Sequence, residues 1–147
     1  MAMTLRQACI DEAPADRWYC RETNMWVAYR AGEVLIGATR FGLRLAGEVI
    51  AFTAKPDGAQ IRRGKGMATI ECHKTVLAVH APVSFTMLSG NAAAEERPAL
   101  INADPYAAGW MARGRPLDWA GEMAALCDAA GYRRHVRSLD PEACRDD

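Results

Sequence analysis

Three residue types in this chain could do covalent or proton-transfer chemistry. There are five cysteines (Cys9, Cys20, Cys72, Cys127, Cys144), three histidines (His73, His80, His135) and a small set of lysines. Of 18 basic residues only Lys55, Lys65 and Lys74 are lysines, and the others are arginines. A lysine amine can take up an acyl group and hold it as an amide, whereas a guanidinium stays a fixed cation. A thiolate beside an imidazole could be a nucleophile with its base. Clustered Cys and His ligands would hold zinc.

The cysteines favour neither of the last two chemistries. An odd count at wide spacing does not describe a disulfide framework. No C-x-x-C pair occurs and the histidines miss zinc-ligand spacing, so no structural metal is expected. Cys72 adjoins His73, but neighbours on an extended strand point to opposite faces. Cys72 alternates with Ala68 and Ile70 and reads as a small apolar residue on a packed face.

The lysines separate by context. Lys55 opens the turn Lys55-Pro56-Asp57-Gly58, where Pro presets φ and Gly permits positive φ. Lys65 lies in a Gly-rich stretch, 58–66. That stretch lacks the G-x-x-x-x-G-K-[ST] spacing of a phosphate loop and leads into a strand, so it reads as a plain loop. Lys74 is different. The strand-like runs Met67–Cys72 and Thr75–Ala81 leave only His73 and Lys74 between them, which predicts a tight hairpin with the lysine at its tip.

The elements that must position this hairpin are mostly short β runs. Met25–Arg30 and Glu33–Gly37 form a hairpin around Ala31-Gly32. Thr39 caps a short helix through Ala46, stopped by Gly47, and Glu48–Ala54 is the next strand. Val83–Ser89 is followed by a helix capped by Asn91 that ends before Pro98, and Trp110–Arg113 is a last strand. From Asp118, apolar residues at 119, 123, 126 and 130 predict one helix closed by Gly131, then a further turn or two before Pro141. Met1 to Thr23 has no sustained period. The expectation is one unit over 1–147, with a mainly β core at about 24–117 and a helical tail at 118–147.

Composition narrows the function. The length of 147 residues suits one domain, and 18 acidic residues balance the 18 basic ones. A net charge of zero argues against binding nucleic acid, which needs a positive footprint. No apolar run approaches the roughly 20 residues that cross a bilayer, and the first residues are not of signal-peptide type. A cytoplasmic protein is expected, with no nucleic-acid or membrane partner.

A spaced series of motifs adds to this reading: Glu71-Cys72-His73-Lys74, Ala81-Pro82-Val83-Ser84, Leu100-Ile101-Asn102, Asp104-Pro105-Tyr106 and Gly109-Trp110. In this order, from about Trp26 to Pro116, it resembles the glycine-cleavage H-protein family of lipoyl carriers. The resemblance implies a flattened β-barrel (barrel-sandwich hybrid) fold and a non-catalytic carrier subunit. It implies lipoic acid in amide linkage to Lys74, with Glu71, Cys72 and His73 as the hairpin around it. Glu71 would serve recognition by the lipoate ligase or lipoyl transferase, or by a partner. A lipoyl arm accepts a nucleophile at one sulfur and releases the other as thiolate, while the protein presents it.

Two branches of the family fit. The run 46–55, the run 74–82, Cys9 near the start, and Asp118-Trp119 with a tail ending near Cys144 are similar to the lipoate-binding proteins of bacterial sulfur oxidation. These work beside a heterodisulfide-reductase-like complex, and this branch is favoured. The alternative is glycine cleavage itself. Its partners are glycine decarboxylase, aminomethyltransferase and dihydrolipoamide dehydrogenase, and the arm carries an aminomethyl group. Relative to the family, Cys72 replaces a Ser, Phe85 stands where a Gly follows Pro-Val-Ser, and Ala107 replaces a Gly. These departures keep a third reading open, an unlipoylated paralogue acting as an interaction protein.

Overall fold

Buried residues alternate with more open ones at period two along 68–72, 85–88 and 112–115, which turns one face of each segment inward. A computed structural model describes residues 13–140. Cys9 and Cys144 lie outside the described residues. Strands β1 (Trp18–Cys20), β2 (Met25–Arg30), β3 (Glu33–Ala38), β5 (Gln60–Ile61), β8 (Phe85–Gly90) and β9 (Ala112–Pro116) make one antiparallel sheet, in the order β1-β2-β3-β9-β8-β5. Strands β4 (Val49–Ala54), β6 (Gly66–Cys72) and β7 (Thr75–His80) make a second, in the order β4-β6-β7. Between them lies a core that includes Val27, Ile36, Phe52, Met67, Ile70, Phe85 and Met87. This is the expected mainly β, barrel-sandwich type of fold, although the two ladders do not join into a closed barrel.

Short helices fill the corners. Thr39 caps α1 (Arg40–Ala46), its Oγ1 accepting from Gly42 N–H at 3.0 Å, and Gly47 ends the helix at φ +97°. Asn91 caps α2 (Ala92–Glu96) as expected. Pro98 does more than stop that helix. It opens α3 (Ala99–Ala103), where its fixed φ of −58° suits a helix start.

The C-terminal segment departs from expectation. The predicted single helix breaks into α4 (Trp119–Glu122), a 3-10 turn at 123–125 and α5 (Ala129–Leu139). The interruption is a bridge in which Tyr19 and Cys127 exchange backbone bonds of 2.8 and 2.9 Å. Asp128 then starts a fresh helix by accepting from Gly131 N–H at 2.8 Å, so Gly131 lies inside the helix instead of closing one. A long-range ladder contact has overridden local helical periodicity. The same contact explains β1, which has too few residues to show a period. The last strand also sits further along than Trp110–Arg113, because β9 follows β3 and β8 in register.

Helix α5 packs on the outer face of the larger sheet and makes a second core with Tyr19, Trp26, Phe41, Tyr132 and Val136. Trp26 is fully buried and its Nε1–H donates to Pro105 O at 3.0 Å. Gly37 faces that ring so closely that a Cβ there would lie 2.5 Å from it.

Candidate functional site

The hairpin between β6 and β7 forms as the sequence predicts. Cys72 pairs with Thr75, leaving His73 and Lys74 as the two-residue turn. The other two-residue hairpin, Ala31-Gly32, has φ of +53° and +78°. That is the backbone two-residue turns usually require, and it favours Gly. Among the described non-glycine residues only Asn24 and Ala31 have positive φ, so His73 and Lys74 carry their side chains without left-handed strain. A lysine is therefore compatible with this tip.

The strands below the tip fix its base. Along β6, Ala68, Ile70 and Cys72 face the core, while Thr69 and Glu71 face outward. The outer row Ala51–Glu71–Val76 crosses all three strands of the smaller sheet. Lys74 is exposed, and its ammonium has no ion-pair or hydrogen-bond partner among the described residues. His73 Nε2 lies 3.2 Å from Glu48 Oε2, with both side chains about two-thirds exposed (65% and 67%). Such an exposed pair adds little stability. Cys72 is buried, and desolvation pushes its thiol pKa up, so it is no nucleophile at neutral pH. Cys72 and His73 do not come together as a catalytic pair. Among the described residues, no group of three or more His, Cys, Asp or Glu could hold a metal.

Sequence reasoning did not single out Glu48. It lies 25 residues from His73 and meets it only because Val49 pairs with Cys72. The Asn102 amide sets that strand start. Its Oδ1 accepts from Val49 N–H at 2.8 Å and its Nδ2 donates to Gly47 O at 3.3 Å. The other spaced motifs also have local physical reasons. Tyr106 OH accepts from Arg40 N–H at 2.9 Å. A Cβ on Gly109 would lie 2.5 Å from Leu100 O, so that position admits only glycine.

The departures from the family pattern are absorbed. Phe85 is fully buried and fits because Gly114, against which its ring lies, has no side chain. The turn before it is held at Ser84. Its N–H and Oγ–H donate to the Glu122 carboxylate at 2.6 and 2.8 Å, and its Oγ accepts from Arg63 N–H at 2.9 Å. Ala107 is exposed and has no positive φ, so glycine is not needed there.

Comparison with known proteins gives a consistent answer. The family described as Glycine cleavage H-protein matches residues 17–139. The glycine cleavage system H protein of Thermus thermophilus is 33% identical over 127 residues, covering 86% of this chain and 98% of that one. The Aeromonas hydrophila protein of the same name is 38% identical over 112 residues, covering 76% and 86%. The crystal structure of a glycine cleavage system H protein from Mycobacterium marinum superposes with a TM-score of 0.73 at 29% identity, covering 84% of this chain and 98% of that one. These relatives favour the glycine-cleavage alternative and lend the sulfur-oxidation branch no support. Such proteins are non-catalytic carriers with lipoic acid bound covalently to a lysine. With the family model matched over residues 17–139 and relatives covered over most of their length, this chain belongs to the glycine-cleavage H-protein family.

Proposed function

We propose that Lys74 bears the lipoyl group and that the chain is the carrier of a cytoplasmic glycine-cleavage system. Its partners would be glycine decarboxylase, aminomethyltransferase, dihydrolipoamide dehydrogenase and a lipoate ligase or lipoyl transferase. The observation that carries the assignment is the tip itself. Lys74 is exposed, without a partner among the described residues, on a two-residue turn of ordinary φ. Lys55 and Lys65 lie outside the hairpin, Lys55 just past the end of β4 and Lys65 before β6.

The bound group would supply a disulfide that opens to a nucleophile and closes again on oxidation. The chain supplies reach and orientation. The four-carbon stem of Lys74 extends from a base fixed by β6 and β7. Glu71, exposed on the outer row beside the tip, offers a fixed carboxylate to the enzyme that attaches the group. The relatives' name supports the glycine-cleavage reading over sulfur oxidation.

An intact mass of protein made in a lipoate-competent host tests the site. One lipoyl addition is expected, lost in Lys74→Arg. An unmodified wild-type mass would instead favour an interaction protein. Loading of an aminomethyl group by purified glycine decarboxylase tests the system. A sulfur-dependent adduct on the reduced arm, without such loading, would return the assignment to sulfur oxidation.

A further inference from the structure

The smaller sheet is electrically uneven along its strands. Glu48, Glu71 and His73 stand beside Lys74 at the hairpin end. Strand β6 is 7 residues long, so its opposite end lies roughly 20 Å away by strand rise. Lys55, Arg62, Arg63 and Lys65 gather there, all exposed except the half-buried Arg63. Backbone bonds tie them together: Lys55 N–H donates to Met67 O, and Lys65 N–H to Arg62 O, each at 3.0 Å. Among the described residues the carboxylates at this end are Glu22, 3.9 Å from Arg63, Asp57 two residues beyond Lys55, and Glu122, whose charge is taken up by the Ser84 N–H and hydroxyl beside Arg63. His80 shares the same end, its Nδ1 2.9 Å from Gly64 O. In a chain of net charge zero, two of its three lysines lie here.

The turn that presents these cations is rigidly held. Gly64, at φ +83°, sits third in the Arg62–Lys65 turn, where positive φ is required. Gly64 N–H donates to Ala81 O and Ala81 N–H to Lys65 O, both at 2.8 Å. Arg63 N–H donates to Ser84 Oγ at 2.9 Å. These bonds satisfy the backbone but leave the side-chain charges without a role. Among the described residues, Lys55, Arg62 and Lys65 have no carboxylate partner. The fixed backbone sets where these charges stand, so a partner meets them in one arrangement, although each long side chain still loses rotamer freedom on binding.

We infer that this cationic end is a docking patch for an acidic surface on the protein that receives the Lys74 arm. The inference rests on the carrier reading above and adds a geometry to it. The partner's acidic patch lies about 20 Å from the opening that admits the arm. Acylation of Lys74 replaces its ammonium with a neutral amide, leaving Glu48 and Glu71 to dominate the tip. The modified carrier is thus more polar end to end than the unmodified one, and that polarity orients its approach.

The test compares the lipoylated wild type with Arg62→Glu/Lys65→Glu and with Arg97→Glu/Arg134→Glu, which reverses two exposed charges elsewhere. With purified glycine decarboxylase, the patch variant is expected to raise KM about tenfold at low salt with kcat unchanged. The difference should shrink at about 0.5 M salt, where screening is short-ranged. The control should match wild type. An unchanged KM, or an equal rise in the control, overturns the patch. Amide shift mapping of the same proteins with a hexaglutamate peptide needs no decarboxylase. Shifts confined to 55–66 and 80–81, and lost in the patch variant, support it. Shifts that are absent, or spread over every arginine-bearing face, refute it. If wild type is not loaded by the decarboxylase, the glycine-cleavage reading fails, while the peptide mapping still decides the patch.

Discussion

Phe85 and Gly114 should behave as one packing unit. The Phe85 ring is fully buried on β8, and it leans over Gly114 on β9, two residues from its register partner Pro116. A Cβ added to Gly114 would lie 2.2 Å from Phe85 Cδ2. Gly114→Ala must therefore displace the ring, an overpacking cost of about 1–3 kcal/mol. Phe85→Ala empties the same space and costs about 3–5 kcal/mol. In the double variant the new methyl enters the volume the ring has left. The new Cβ would also meet Thr86 O at 3.0 Å, a backbone atom that yields less, so part of the glycine cost remains. The double variant should be at least about 1 kcal/mol more stable than the sum of the singles predicts. Urea unfolding followed by tryptophan fluorescence measures this, with the m-value checked for constancy. In a thermal scan the same difference is about 2–4 °C. Additivity within about 0.5 kcal/mol would show that ring and glycine do not compete for space, and the account of how this chain tolerates Phe85 would be wrong.

Two further outcomes follow from the polar interior. Asn91 is buried, accepts from Ala93 and Ala94 N–H, and donates to Ala108 O and Trp110 O at 2.9 and 2.8 Å. Asn91→Ala loses a helix cap and strands two carbonyls, so chemical denaturation should show a loss of about 2–4 kcal/mol. Burial holds the phenols of Tyr19 and Tyr132 far above their ordinary value of 10.0, with the Thr39 hydrogen bond opposing the shift at Tyr132. Their folded pKa values are raised, so their share of stability is intact below about pH 10 and is lost as pH rises from there through the folded values. Phenolate absorbance from these two should appear together with loss of far-ultraviolet circular dichroism. Their ionisation in a still-folded chain would contradict the burial.

Much of this architecture is legible in the sequence because it is local. Thr39, Asn91 and Gly47 act within one turn of their own helices, and the Cys72–Thr75 hairpin is set by adjacent residues. What escaped depends on partners far along the chain. The helix expected from Asp118 to Gly131 is broken by Tyr19, 108 residues before the Cys127 it bonds. The Glu48–His73 contact needs the register of β4 on β6, which a bulge at Ile50 adjusts. The choice between the two branches was less legible for another reason. Residues 46–55 and 74–82 lie largely in strands β4 and β7 that the whole family's fold requires, so likeness there speaks to fold before function.

A carrier site differs from an active site in what has to be fixed. On the proposed carrier reading the end of Lys74 must move, so precision belongs in the residues beneath it. Slipping β6 by one residue would turn Ile70 and Cys72 outward and bury Glu71 against Val49 and Phe52. An unpaired carboxylate there costs several kcal/mol, far more than any contact at the exposed tip can return. The alternation of Ala68, Ile70 and Cys72 with Thr69 and Glu71 therefore decides which residue reaches the turn. This also accounts for a cysteine where related carriers have serine. The position faces the core and asks for a small side chain, and a thiol with a raised pKa meets that demand without a hydrogen-bond partner. Cys72 thus keeps Lys74 at the tip by packing.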